Sequence, residues 1–218
     1  DKGDIATHTV VNACGVYAPF IGNMVGIKVP IVPRRGQIIV SEAVAPLVHG
    51  DINCARYITA KFNPELLGQG ESARLGIGLS LGQTENGNLL IGGTREFVGY
   101  DRRTTHAALR EILKHASNLV PALKDVSIIH SFSGLRPYTP DGLPILGPVP
   151  NLKGFYMAAG HEGDGIALSA ITGRLMCDVI TEGSTTIDID MKQLSIERFK
   201  EDDVNDFWTS HNCNGHTF

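Results

Sequence analysis

The chain has 218 residues, of which 42% are hydrophobic and 19% are charged, so it is long enough to bury a sizeable core. Its net charge of −4 supplies no basic field for a phosphate backbone, which argues against a nucleic-acid partner. The apolar runs are far shorter than the roughly 20 residues of a spanning helix, so no membrane span is expected. The four cysteines form no C-x-x-C pair, which argues against a metal site and favours a reduced, cytoplasmic setting.

The first third of the chain predicts short elements separated by turns. Residues 9–12 predict a buried strand, after which small residues turn the chain into a helix over residues 17–25. Two β-rich runs follow at residues 31–32 and 37–40. Residues 44–76 are interrupted by prolines and glycines, so loops and at most one short strand are expected there.

The middle of the chain predicts a β-hairpin and a capped helix. Two β-rich runs over residues 75–94 are joined at Asn86-Gly87, a pair that favours tight hairpins because both residues tolerate positive φ. Thr104 or Thr105 can cap the helix that runs to about Leu119. A strand is predicted over residues 126–132.

The last third predicts a second α/β segment. Residues 134–150 are rich in proline and favour a stiff, extended stretch. A buried strand over residues 155–159, a glycine-rich turn over 160–165 and a helix over 166–180 follow. After Phe199 the chain is polar, and part of this tail is expected to be disordered. The irregular alternation of strands and helices, with an antiparallel hairpin, favours an α+β fold.

The strand–glycine–helix segment FYMAAGHEGDGI is the most informative motif. Glycines let the backbone approach a ligand closely, and the first turn of a helix offers unpaired N–H donors with partial positive charge. Such a segment suits an acceptor-rich or partly anionic edge of a ligand. Taken alone, it is also compatible with an ordinary strand-to-helix turn.

Two further segments have both a functional and a structural interpretation. Arg136 lies between an apolar strand and a proline-braced turn, where its planar fork can bind a carboxylate. The alternative is a structural ion pair with an acid such as Asp141. Residues 13–15, Ala-Cys-Gly, follow the first strand and either admit the backbone of a nucleotide or simply make a turn.

Taken together and in this order, the segments resemble the flavin-dependent D-amino-acid oxidase superfamily, which includes glycine oxidase, sarcosine oxidases, proline dehydrogenase subunits and hydrogen cyanide synthase subunits. The resemblance extends over residues 9–199. It rests on Asn12-Ala13-Cys14-Gly15, Arg35-Gly36-Gln37, Asn86-Gly87 with Ile91-Gly92-Gly93-Thr94, Gly134-Leu135-Arg136-Pro137 and Gly160-His161.

The resemblance implies a mixed, largely antiparallel substrate-domain sheet with helices, plus a remnant of a Rossmann-like FAD-binding domain. The implied order is a remnant of the FAD-binding domain over residues 1–30 and a substrate domain over 31–132. The chain then returns to the FAD-binding domain over residues 133–199, which hold the flavin-edge loop and its helix. Residues 200–218 form a polar tail.

The resemblance also implies roles for individual residues. Arg136 would bind the substrate carboxylate, and Ser80 would face the substrate where glycine oxidase relatives have a tyrosine. The implied cofactor-binding residues are Ala13, Cys14, Gly15, Gly134, Arg136, Gly160, His161, Gly163, Asp164, Gly165 and Ile166. His161 is assigned to positioning, because amine oxidation in this family is generally described as hydride transfer without an obligatory protein base.

Side chains of the flavin-edge loop are expected to matter less than its backbone. A side chain introduced at Gly165 would push the backbone away from the flavin ring, whereas a substitution of Glu162 would be tolerated if its side chain points outward. The relatives' basic loop residue corresponds to Gly163 here, which leaves the substrate open.

The complete enzyme would oxidise a small amino acid or secondary amine to an imine, with electrons passing through FAD to oxygen, a quinone or a partner subunit. No G-x-G-x-x-G follows a strand. The chain is therefore expected to be the carboxyl-terminal part of an enzyme, to need its amino-terminal half or a partner subunit, and to bind FAD weakly or not at all alone. The alternatives are a non-catalytic interaction or regulatory subunit without flavin, and a FAD enzyme acting on a hydroxy acid.

Overall fold

The computed structural model describes residues 3–211 and confirms an α+β fold. Its strands are β1 (Val10–Asn12), β2 (Val32–Ala43), β3 (Ile52–Asn53), β4 (Ser80–Gln83), β5 (Asn88–Gly92), β6 (Ile128–Tyr138), β7 (Ile145–Pro148) and β8 (Phe155–Ala159). Its helices are α1 (Ala18–Met24), α2 (Ala55–Phe62), α3 (Glu71–Arg74), α4 (His106–Leu119), α5 (Gly165–Glu182) and α6 (Glu201–Ser210), with short 3₁₀ turns between elements. Contacts divide the chain into two compact units: the first combines residues up to Pro33 with those from Arg136 onward, and the second is Arg34–Leu135.

The first unit is built on a three-stranded sheet in the order β1-β8-β7. β1 pairs with β8 in parallel, and β7 pairs with β8 antiparallel. Alternate residues of β8 point to opposite faces, as the period of a strand requires. Phe155, Met157 and Ala159 pack against α1, while Tyr156 and Ala158 pack toward α5. Both faces of β8 are therefore covered within this unit, whereas Val10 and Val11 of β1 are exposed, so the predicted burial of the first strand holds only for Asn12.

The second unit is built on a five-stranded sheet in the order β3-β4-β5-β2-β6. The pairs β3–β4, β4–β5 and β2–β5 are antiparallel. One face packs on α4, whose apolar residues Ala108, Ile112 and Ala116 belong to the core cluster. The Thr105 hydroxyl accepts a hydrogen bond from the Ala108 amide at 3.3 Å, which confirms the predicted cap.

The predicted hairpin is confirmed by β4 and β5, but its turn differs in detail. Of the Asn86-Gly87 pair, only Gly87 has a positive φ, of 88°. The Gly87 amide donates to Thr84 O and the Thr84 amide donates to Asn88 O, each at 2.9 Å. A Cβ added at Gly87 would lie 2.8 Å from Val44 O, so glycine is required there both sterically and conformationally.

Tertiary contacts produce regular structure where the sequence predicted little. Residues 44–76, expected to be mostly loops, contain α2 and α3. The Arg56 side chain of α2 donates to Ile77 O at 3.0 Å, a long-range bond that a local pattern does not reveal. The two β-rich runs near residue 35 form the single strand β2, and β6 continues to Tyr138 instead of ending near residue 132.

The polar tail predicted after Phe199 contains α6, which buries Val204 and Phe207. Its first turn carries Glu201, Asp202 and Asp203, and the positive end of the helix dipole stabilises acidic side chains at this position. The rest of the predicted tail, residues 212–218, lies outside the described residues. Over residues 3–211, no helix combines the length and the apolar character needed to cross a membrane.

Candidate functional site

The loop between β8 and α5 is shaped by unusual backbone angles. Gly160 has a φ of 89°, and a Cβ there would lie 2.7 Å from a Thr139 side-chain carbon. Glu162 has a φ of 49°, in the left-handed region that few residues other than glycine adopt. The Glu162 amide donates to Pro137 O, and the Asp164 amide donates to His161 O, each at 3.0 Å. Backbone hydrogen bonds therefore join the loop to β6 and also connect residues within the loop.

The amide groups of this loop fall into two classes. The amides of Glu162, Gly163 and Asp164 are bonded within the protein, since Gly163 N donates to the Glu162 carboxylate at 2.6 Å. The first bond of α5 runs from Leu168 N to Asp164 O at 3.0 Å. The amides of residues 165–167 therefore precede the intrahelical bonds, as expected at the start of a helix. Acceptor binding by this segment would use the helix start and not the amides of Gly163 and Asp164.

Arg136, near the end of β6, lies directly against this loop. Its Nε is 3.8 Å from the Glu162 carboxylate, and the arginine side chain is 24% exposed. A Cβ added at Gly163 would lie 3.5 Å from Arg136 Nε and 3.6 Å from its Cδ. Gly163 therefore lies directly beside the arginine side chain.

The alternative of a structural ion pair stays open, with Glu162 in place of Asp141 as the acid beside Arg136. Asp141 instead accepts two bonds from Arg198, at 2.6 and 3.1 Å. Burial by itself would raise the pKa of Asp141, but the hydrogen bonds from Arg198 and the Leu143 amide outweigh it and lower the pKa. Asp141 and Arg198 thus form a separate ion pair, and the acid beside Arg136 is Glu162.

His161 is held by the helix that follows the loop. Its Nε2 lies 3.0 Å from the Thr172 hydroxyl of α5. Burial lowers the pKa of His161, so the ring is neutral at neutral pH. A Cβ added at Gly165 would lie 3.1 Å from His161 Cβ, so a larger residue there would first displace His161. The expected effect of such a residue on the flavin ring stays a prediction.

The Glu162 side chain is 6% exposed, so an outward orientation is wrong. Its carboxylate lies beside Arg136 of β6 and accepts a hydrogen bond from the Gly163 amide. Sequence reasoning missed both Glu162 and Thr172 as residues that shape this loop. Glycines on either side of a non-glycine residue are a weak signal for such a backbone angle.

Residues 13 and 14 connect β1 to a 3₁₀ turn over Gly15–Tyr17, and Gly15 borders open space. Buried Asn12 shapes the turn, since its side chain donates to Ala18 O at 2.9 Å and accepts from the Cys14 amide at 3.4 Å. Gly15 has a φ of 55°, and a Cβ there would meet nothing within 4 Å. Cys14 is exposed. Asn12 was not among the predicted site residues, although asparagine commonly organises turns at the ends of strands.

Ser80 and Gly134 lie in the second unit. Ser80 begins β4 opposite Gly92 of β5, and its neighbour Leu81 belongs to the core, so the serine side chain points to the other face of the sheet. Gly134 lies in β6, and a Cβ there would meet nothing within 4 Å. Across residues 3–211, no group of histidine, cysteine or acidic side chains is arranged to hold a metal ion.

The first unit has features that fit FAD. The amides at the start of α5, Gly165 and Ile166 among them, suit an acceptor-rich edge of a flavin. The open turn at Gly15 has room for the backbone of a nucleotide. Arg136 and the loop that it contacts provide a cationic group beside the start of the helix.

The comparisons with known proteins agree with this chemistry. The family described as FAD dependent oxidoreductase, DAO, matches residues 1–179. The hydrogen cyanide synthase subunit HcnC of Pseudomonas protegens is 33% identical over 83% of this chain and 38% of its own length. Glycine oxidase of Geobacillus kaustophilus is 32% identical over 86% of this chain and 44% of its own length.

Solved structures show the same relationship. The crystal structure of L-proline dehydrogenase from P. horikoshii has a TM-score of 0.77 and 27% identity, over 91% of this chain and 49% of that chain. This chain therefore spans less than half the length of these relatives. The extent of the family match and the identity to the relatives show that the chain belongs to the FAD-dependent oxidoreductase family, DAO.

Proposed function

We propose that this chain takes part in the FAD-dependent oxidation of a small amino acid or secondary amine to an imine. The observation that carries the proposal is the contact between Arg136 and the loop that leads into α5. A carboxylate-binding group and a helix start suited to a flavin edge are thereby adjacent in one compact unit. The names of the relatives, among them glycine oxidase and L-proline dehydrogenase, support an amino-acid substrate.

Each residue has a distinct role in this proposal. Arg136 binds the substrate carboxylate through charge-assisted hydrogen bonds. The amides at the start of α5 stabilise negative charge on the pyrimidine edge of the flavin. His161, neutral and bonded to Thr172, positions the loop and does not act as a base. FAD, when bound, supplies the two-electron acceptor.

We further propose that the activity belongs to a longer protein or complex. The chain covers 38% to 49% of the relatives described above, and it lacks a G-x-G-x-x-G turn after a strand. An amino-terminal segment or a partner subunit would supply the pyrophosphate-binding contacts. In this proposal the Arg34–Leu135 unit is the substrate domain, in which Ser80 faces the substrate, and the other unit contacts the flavin.

The test uses the intact protein or complex that contains this chain. Its released cofactor is identified, and the loaded protein is then mixed anaerobically with small amino acids and secondary amines. We expect bound FAD whose visible absorption is bleached by at least one of these compounds. A stable, folded preparation without flavin would contradict the proposal and favour a non-catalytic subunit. Reduction by hydroxy acids alone would also contradict it.

A further inference from the structure

Glu162 is a buried charged residue in a disfavoured backbone conformation. Its side chain is 6% exposed, and its φ of 49° lies in the left-handed region, which is disfavoured for a residue such as glutamate. A buried carboxylate also loses hydration unless specific groups replace it. The conformation is therefore maintained by the contacts that the carboxylate makes.

Both carboxylate oxygens of Glu162 contact parts of the proposed site. Oε2 accepts the Gly163 amide at 2.6 Å. Oε1 lies 3.8 Å from Arg136 Nε. Gly163 is also the residue beside which the Arg136 side chain lies, since a Cβ there would be 3.5 Å from Nε. One carboxylate thus contacts both the guanidinium and the backbone next to it.

We propose that Glu162 is a positioning residue that fixes the orientation of the Arg136 guanidinium relative to the loop entering α5. The inference rests on the proposed function, because orientation matters only if Arg136 binds a substrate carboxylate. The guanidinium is a planar fork, so its two bonds to a carboxylate require a defined plane as well as a positive charge. A carboxylate at the Nε edge restricts rotation of that plane. Glu162 thereby sets the direction from which a substrate carboxylate is received.

Two substitutions in the intact protein separate positioning from charge. Glu162→Asp keeps the charge and adopts the left-handed region more readily, but its side chain is one methylene shorter. Glu162→Gln removes the charge but keeps the length: its single acceptor oxygen can still accept from the Gly163 amide, while its NH2 group fills the place of Oε1 beside Arg136 and limits rotation by its bulk. If Glu162 positions Arg136, Glu162→Asp should weaken benzoate binding about tenfold, and Glu162→Gln should change it by less than about threefold. The matched control is Glu182→Asp, at the exposed end of α5.

Binding of benzoate is compared with that of neutral benzamide by calorimetry, because benzamide reports the pocket without the carboxylate. An independent measurement is hydrogen exchange of the Gly163 amide, which Glu162→Asp should accelerate and Glu162→Gln should leave protected. Neither measurement depends on turnover.

Three results with the Glu162 variants would overturn the inference. The first is wild-type benzoate affinity and Gly163 exchange in Glu162→Asp. The second is an equal loss of benzoate and benzamide binding in that variant, which would indicate a purely structural role. The third is a loss of benzoate binding in Glu162→Gln but not in Glu162→Asp, which would indicate a role of charge alone. If Arg136→Lys leaves benzoate binding unchanged, the proposed function fails and this inference fails with it. If Arg136→Lys weakens benzoate binding but Glu162→Asp does not, only the inference is overturned.

Discussion

Arg136→Lys should raise the Michaelis constant for amino-acid substrates much more than that for amines without a carboxylate. Lysine keeps the positive charge but replaces the planar fork by a single ammonium group. A hydrogen bond to a charged group contributes about 1.5–3 kcal/mol. Loss of one of the two bonds to a carboxylate therefore corresponds to an increase of about tenfold to a hundredfold, at about 1.4 kcal/mol per factor of ten.

The assay is steady-state kinetics of the intact enzyme with a paired set of substrates, each amino acid being compared with the amine in which hydrogen replaces the carboxylate. Arg198→Lys is the matched control, because Arg198 pairs with Asp141 in the same unit at 2.6 Å. The control should lower the melting temperature without discriminating between the two substrates. Equal losses of activity toward both substrates in Arg136→Lys, or a change confined to thermal stability, would refute the assignment of Arg136 to the substrate carboxylate.

Three further predictions concern stability and pH. Gly87→Ala should lower the free energy of unfolding, measured in urea, by about 1–3 kcal/mol, because residue 87 has a positive φ and the added Cβ would lie 2.8 Å from Val44 O. The control Gly173→Ala lies in an open position of α5 and should raise the same free energy by up to about 1 kcal/mol. Leu81→Ala, fully buried in the second unit, should cost about 2–5 kcal/mol, and a loss below about 1 kcal/mol would contradict the packing described. Burial lowers the pKa of His161, so the unfolded chain binds a proton on this ring more readily than the folded chain does, and the free energy of unfolding falls as the pH drops below the unfolded pKa of 6.5. His161→Gln should weaken this pH dependence. An unchanged profile of unfolding free energy against pH in the variant would disprove the role of His161.

Local sequence signals predicted the elements that local chemistry determines. The Thr105 cap and the α4 pattern specify a helix, and the Asn86-Gly87 turn specifies a hairpin, each through contacts between near neighbours. The helix α2 was missed because its position depends on the bond from Arg56 to Ile77 O, 21 residues away. The continuity of β2 and β6 likewise depends on partner strands, which the sequence of one segment does not identify.

The candidate site was predicted at the level of segments more than of side chains. The small-residue turn and the glycine loop were recognised because glycines and short side chains are visible in the sequence. The partner of Arg136 was not, because the choice between Asp141 and Glu162 depends on a left-handed angle at Glu162 and on the competing Arg198. The roles of Arg136, Ser80 and the cofactor-binding residues stay predictions, since their tests require bound substrate and flavin.

We propose above that the intact protein uses FAD to oxidise a carbon–nitrogen bond. The most direct measurement is anaerobic single turnover of the flavin-loaded protein with an amino acid, followed by quantification of the carbonyl product formed when the imine hydrolyses. We expect one carbonyl product, together with ammonia or an amine, for each flavin reduced. Flavin reduction by a hydroxy acid with no reduction by any amino acid or amine would contradict it.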